Sequence, residues 1–278
     1  MLDIFHNVEL LTVTYKSNHI IRESLSNISN NFKITVVENS NDVEFKKNVE
    51  IRKNVKCILA NKNLGFGGAF NLGAKSIKSK YILHFNPDAL INDNVIEKLY
   101  NYAKITDFGI ISTIETNDLT KINFAKLNQL KEVESVRGFV MFMNNSAIKE
   151  VNYFDENFFL YLEEVDLCKR LRRNKKKIYV ANNIMVKHLG GRSHDAQYNE
   201  LIEIQRNWHY MWSLFYFNKK HKNIFYAYKI TIRKFISALF KIIIYYFLDK
   251  NKFKIYKYRF LGLLNSYLGR KSSFRINF

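Results

Sequence analysis

The chain has 278 residues, a formal net charge of +19, 47% hydrophobic and 15% aromatic residues, 1 Pro and 2 Cys. So much apolar content excludes a disordered chain, which could not bury enough surface to offset its conformational entropy. Cys57 and Cys168 cannot make a disulfide framework, and Met1–His6 has an early acid and no basic n-region, so a cytoplasmic protein without a secretory leader is expected.

In chain order, Val8–Thr14 reads as a buried strand, Ile20–Ile28 as a helix, and Lys33–Val37 and Val55–Leu59 as two further strands. Phe66–Ile77 reads as a helix entered through glycines, followed by a strand at Tyr81–Phe85 and a helix at Asn94–Ala103. Strands are expected at Gly109–Thr113 and Gly138–Met143. Phe159–Arg173 has helical spacing with Leu160, Val165, Cys168 and Leu171 inward, and Ile178–Ala181 is a last short strand. No internal repeat or low-complexity segment interrupts this order. Strands alternating with helices imply a mostly parallel sheet covered on both faces. Ligands of such sheets bind at the carboxyl ends of the strands, so chemistry is expected after Thr14, Val37 and Phe85.

The first exit carries Tyr15-Lys16-Ser17 and the second Glu38-Asn39-Ser40. The third carries Asn86-Pro87-Asp88, where Pro87 ends the strand and fixes the direction of Asp88. A carboxylate there suits a hard divalent cation, although on the triplet alone a turn whose Asp caps the next segment is the simpler reading. Four of the ten glycines crowd into Asn63–Gly73, at a helix start where backbone approaches backbone or a phosphate. Neither the dinucleotide fingerprint nor a P-loop fits, because Phe70 breaks the first and Ala74 the second. Glu163, Glu164 and Asp166 lie within one turn beside Phe158, Phe159 and Leu160. They suit either a helix dipole or a general base of raised pKa. Arg170, Arg172 and Arg173 follow as ion-pair partners or anion ligands, and His188 precedes paired glycines.

The charge is uneven. Gln205–Phe278 holds 16 Lys+Arg against one acid, Asp249, and 21 of the 42 aromatics, so the first 204 residues carry a net of only +4. The expected boundary therefore separates residues 1–204 from a helical, basic extension at 205–278. Phe235–Leu248 is apolar for 14 residues apart from Lys241, short of the roughly 20 that cross a bilayer. An anionic membrane surface ranks first as partner, a packed extension second and nucleic acid a distant third. A basic nucleic-acid-binding protein with a non-catalytic α/β domain is the alternative from another class.

The order of these segments over Leu10–Ser193 resembles the family 2 glycosyltransferases of GT-A fold, and most closely their rhamnosyltransferase-like branch. The resemblance is carried by Thr12-Val13-Thr14-Tyr15, Val36–Ser40, Asn63–Gly73, Asn86-Pro87-Asp88, Phe154–Leu171 and His188–Gly191. It implies an α/β GT-A domain that inverts the anomeric centre while moving rhamnose or another hexose from a dTDP- or UDP-sugar to a hydroxyl. The acceptor would be a glycan or lipid-linked molecule, in bacterial surface polysaccharide synthesis on the inner face of the plasma membrane. Glu164 fits the family's base, with Glu163 and Asp166 beside it, and Asp88 with His188 its Mg2+ or Mn2+ site. The donor would lie against Thr14, Tyr15, Glu38, Asn39, Asn63, Gly65, Phe66, Gly67, Gly68, Asn71, Asn86 and Pro87. Glu stands where the family usually has Asp at position 38 and often at 164, which moves each carboxylate by a methylene.

Overall fold

The computed structural model describes residues 2–116, 130–190 and 196–275. The first half runs α1 (Leu2–Asn7), β1 (Val8–Thr14), α2 (Ile21–Ser26), β2 (Lys33–Glu38), α3 (Val43–Glu50), β3 (Val55–Leu59), α4 (Gly65–Ala74) and β4 (Tyr81–Phe85), with every strand where the sequence predicts one and with α1 and α3 added. Then come β5 (Ala89–Leu90), α5 (Asp93–Ile105), β6 (Ile110–Glu115), β7 (Leu130–Glu132), β8 (Val140–Asn144), α6 (Asn145–Glu150), α7 (Glu163–Arg173) and β9 (Ile178–His188). Three helices close the chain: α8 (Asn199–His221), α9 (Ile224–Leu248) and α10 (Lys250–Tyr267).

The strands form one sheet in the order β3-β2-β1-β4-β8-β6-β9-β5, with β7 on β9. Among the described residues, β1, β2, β3, β4, β6 and β9 share one direction, and β5, β7 and β8 run against it. Neighbouring residues enter two cores in alternation. Leu10, Val36, Leu83 and Phe142 lie in one, and Leu11, Val37, Ile82 and Met141 in the other. Both faces of these strands are therefore buried, which is why they read as near-continuous apolar runs. Gly73 lets α4 close onto the sheet, because a Cβ there would stand 2.6 Å from Leu11 Cδ1 and 2.8 Å from Val37 Cγ2.

α1, α3, α6, β5 and β7 have no predicted counterpart, and two predicted elements have clearly different bounds. The helix at Glu163 starts four residues late, because Tyr161 and Leu162 adopt left-handed backbone with φ of 71° and 67°. Its inward side is Leu167, Cys168 and Leu171, while Val165 and Leu160 are half-buried. The last strand runs 11 residues, far beyond Ala181.

By compactness the chain divides into residues 1–155 with 164–195, and residues 156–163 with 196–278. The second unit thus begins before Gln205 and takes a short segment from the acidic region. Within it, Ser213 Oγ donates to Leu160 O at 2.9 Å, and the Phe158 and Phe159 rings pack on Tyr216 and His209. Gly262 brings α10 onto α8, where a Cβ would fall 2.3 Å from the Trp208 carbonyl oxygen. Asp249, the lone acid after residue 204, caps α10 by accepting from the backbone N–H groups of Asn251 and Lys252.

Candidate functional site

The first two strand exits are joined side by side. Thr14 and Glu38 are in register, and Asn39 N–H donates to Thr14 O at 2.8 Å. The Asn39 amide donates to Asn63 Oδ1 and Gly65 O and accepts from Leu64 N–H, while Asn63 Oδ1 also accepts from Gly65 N–H. Thr14, Asn39, Asn63 and Gly65 thus form one hydrogen-bonded floor at the start of α4, beside half-buried Tyr15 and buried Gly67 and Gly68. The first-turn N–H groups of a helix have no intrahelical partner and favour an anion. Phe66 leans on Phe154 and His84, with ring centroids 5.3 and 4.9 Å away.

Two expected donor contacts have other engagements. The buried Glu38 carboxylate accepts from Ser40 N–H, Ser40 Oγ–H and Asp42 N–H, so it closes its own turn. Asn71 donates to Phe154 O at 2.9 Å and accepts from Phe154 N–H at 3.0 Å. Both ends of its amide hold that loop in place.

At the third exit, Asn86 N–H donates to Phe139 O, and Ala89 N–H closes the turn onto Asn86 O with buried Pro87 inside it. Leu189 N–H donates to Asp88 O, and Ala89 pairs with His188 across β5 and β9. The long β9 therefore delivers His188 to Asp88. His188 Nε2 lies 3.2 Å from Asp88 Oδ1, and His188 Nδ1 lies 3.3 Å from Glu115 Oε1. The ring stacks on Phe139, and Glu115 pairs with Arg137 at 2.7 Å. Asp88 raises the His188 pKa against partial desolvation, and Glu115 adds to the rise.

The donor set at this exit fits a divalent cation. Asp88 Oδ1 is buried, and its contact with His188 leaves it without a well-formed hydrogen bond. Glu115 sits on the opposite ring nitrogen, where it would hold Nδ1–H and leave Nε2 free to coordinate. Among the described residues no three His, Cys, Asp or Glu side chains converge as a metal-ligand group. The remaining ligands would then come from substrate phosphates and water, as is usual for Mg2+.

Glu164 reaches the same stretch of chain. A Cβ placed on Gly138 would lie 4.0 Å from its Cβ and Cγ, and the next residue, Phe139, is the one that binds Asn86 and stacks on His188. Glu164 and the Asp88 turn, the latter through Asn86 and His188, thus approach the adjacent residues 138 and 139. Burial raises the Glu164 pKa, opposed by its own N–H and that of Val165. The neighbouring acids differ. Asp166 is fully buried and accepts from Arg170 Nε at 2.7 Å, and Arg170 also donates to Val151 O. Asp166 is therefore a structural partner within α7. Glu163 is buried and ends the 156–163 segment of the second unit. Cys168 is buried too, its thiol pushed up to about 12 by desolvation, and is inert at neutral pH.

Sequence reasoning passed over Glu115, Arg137 and His84. Glu115 was findable, since it is a carboxylate at the exit of β6, two residues beyond the expected end. His84 is fully buried, with Nδ1 3.0 Å from Leu11 O and Nε2 3.3 Å from the Asn86 amide. Burial pushes it down to about 4, so it ties the Asp88 turn to β1 as a neutral ring. The expected Gly191–Ser193 segment lies outside the described residues.

The family model "Glycosyl transferase family 2" matches residues 10–182, well over half of the chain. The chain belongs to glycosyl transferase family 2. A curated relative, the low-salt glycan biosynthesis hexosyltransferase Agl10 of Haloferax volcanii, is 28% identical over 202 residues. The match spans 64% of this family 2 chain and 64% of that relative's length. Among solved structures, the mannosyltransferase PcManGT of Pyrobaculum calidifontis, in complex with GDP-Man and Mn2+, superposes with a TM-score of 0.60 at 10% identity. That match covers 95% of this chain and 88% of that one. S. aureus TarS 1-349 in complex with UDP-GlcNAc gives a TM-score of 0.56 at 15% identity, over 95% and 92% of the two chains. The family 2 transferase therefore has the GT-A-type mixed α/β fold, followed by a helical C-terminal region.

Proposed function

We propose that this family 2 glycosyltransferase moves a hexose from a nucleoside-diphosphate sugar to an acceptor hydroxyl in a single displacement that inverts the anomeric centre. The observation that carries this reading is the approach of Glu164, His188 and the Asp88 turn to residues 138–139 at the strand exits. The base and ribose rest on the floor made by Thr14, Asn39 and Asn63, and the diphosphate faces the first turn of α4. Asp88 and His188 would hold Mg2+ or Mn2+, which when bound supplies Lewis-acid neutralisation of the diphosphate. Glu164, its carboxylate less acidic through burial, takes the proton of the acceptor hydroxyl. The freed oxygen bonds to the sugar's anomeric carbon, and the nucleoside diphosphate leaves from the opposite face with the electrons of the broken bond.

PcManGT was solved with GDP-Man and TarS with UDP-GlcNAc, and the segments that resemble the rhamnosyltransferase-like branch add dTDP-rhamnose as a candidate donor. The setting we propose is bacterial surface polysaccharide synthesis, with a glycan or lipid-linked acceptor. A thermal-shift panel of UDP-, dTDP- and GDP-sugars with Mn2+ tests the donor. One nucleotide should stabilise the wild type and lose its effect in Asp88→Ala. Stabilisation by none of them would contradict the reading. With the donor known, proton NMR of the product should show an anomeric configuration opposite to the donor's.

A further inference from the structure

We propose that the outer face of α9 inserts into an anionic lipid leaflet, so that the helix lies in the plane of a membrane surface. Opposite sides of this 25-residue helix have opposite character. Its inner side is held within the second unit: Ala227, Thr231 and Ala238 are buried, and Lys241 Nζ donates to Tyr256 of α10. On the other side Ile236, Leu239, Phe240, Ile243 and Phe247 follow at three- and four-residue intervals, which places them on one stripe. Their exposure runs from 44% at Leu239 to 80% at Phe247. A contiguous apolar stripe of this kind on a folded surface marks an interaction site.

Charge selects the occupant. The chain from Gln205 carries sixteen basic residues against one acid. Two copies meeting through this stripe would bring two strongly positive surfaces together. An anionic leaflet reverses the sign of that energy. Lys229 and Arg233 are exposed on the same side of α9, one to two turns before Ile236, where headgroup phosphates would meet them. No helix among the described residues is long and apolar enough to cross a membrane, so the helix would rest at the interface.

The proposal stands apart from the transferase reading and is tested separately. Full-length protein is sedimented with phosphatidylcholine vesicles and with phosphatidylcholine–phosphatidylglycerol vesicles at low and high salt. Binding is expected to the anionic vesicles, at least about tenfold above the neutral ones, and to weaken with salt. Phe240→Ser/Ile243→Ser/Phe247→Ser should lower it by at least about tenfold with an unchanged melting temperature, since these side chains are exposed. Lys229→Glu/Arg233→Glu is the second variant and should shift binding in the same direction. Protein left in the supernatant with anionic vesicles at low salt would overturn the proposal. So would a dimer seen by light scattering that the triple variant splits, without vesicle binding. Nucleotide-sugar stabilisation measured beside these assays keeps a failure here distinct from a failure of the transferase reading.

Discussion

At the scale of single residues, the chemistry depends on what surrounds each carboxylate. Glu164 is raised by burial, so the folded state holds its proton more tightly than the unfolded chain does. The stabilising contribution of that proton is present at low pH and lost as pH rises through the folded-state pKa. An ionised base at neutral pH therefore costs stability. Glu164→Gln should melt higher than wild type at pH 7, and the difference should vanish in acid, as differential scanning fluorimetry would show. The same variant should lose about 100-fold or more in turnover. In the wild type, turnover should fall on the acid side at a pH above the ordinary carboxylate value. His188 stands between two acids, with Nε2 toward Asp88 and Nδ1 toward Glu115. Glu115→Gln should weaken Mn2+ binding by about 10- to 100-fold, read by electron paramagnetic resonance. Unchanged affinity would remove Glu115 from the site. As a candidate cation ligand Asp88 stands out only through the order of motifs, because Asn-Pro-Asp by itself reads as a turn, which the structure shows it to be. Glu115 escaped because its strand reads as ending at Thr113, two residues early, and that exit was not among the three where chemistry was expected.

At the scale of elements, the strands of the parallel half were legible because β1, β2 and β4 are largely buried on both faces and their apolar runs carry only scattered polar residues such as Glu9 and His84. β9 was not. Asn182, Asn183 and Lys187 break its apolar run, and it is held by pairing with β5, β6 and β7 rather than by two-sided burial. The extra residues carry His188 to the site, so the error fell where it mattered. α3 was hidden for a different reason: in Val43–Glu50 only Phe45 and Val49 are buried, and the helix is set by the Asp42 side chain accepting from Phe45 N–H. The acidic helix was overextended because left-handed backbone at Tyr161 and Leu162 cannot be read from side chains that disfavour it. Packing of the glycines is testable. Gly73→Ala should destabilise the protein by about 1–3 kcal/mol in urea unfolding, since its Cβ meets side-chain ends that can shift. Gly262→Ala meets the Trp208 backbone and should cost more, because α10 must move away from α8. Equal midpoints for the two variants and wild type would refute these contacts.

At the scale of the whole molecule, each unit holds a buried histidine that burial keeps neutral. His84 is pushed down to about 4 and His209 to about 3, both by desolvation. His209 Nε2–H donates to Phe274 O at 2.9 Å, so Nδ1 accepts from Ser272 at 2.8 Å and the neutral ring is fixed. Their folded-state values lie below that of an unfolded histidine, about 6.5. Above that pH neither ring alters stability. As pH falls from about 6.5 toward 4 the unfolded chain takes up the protons, and stability is lost. The melting temperature should therefore decline over that window, and a flat profile would contradict the assignment. Charge marks the basic stretch from Gln205, while the grouping of residues 156–163 with 196–278 has no counterpart in the charge pattern. The proposed transfer would be carried out by Glu164 beside a cation held by Asp88. Its most direct measurement is nucleoside-diphosphate release from the stabilising donor, with donor affinity measured in parallel. Glu164→Gln should bind the donor with Mn2+ as wild type does and release almost no diphosphate in the presence of acceptor, while Asp88→Ala should lose both. Wild-type release rates in both variants would contradict the account.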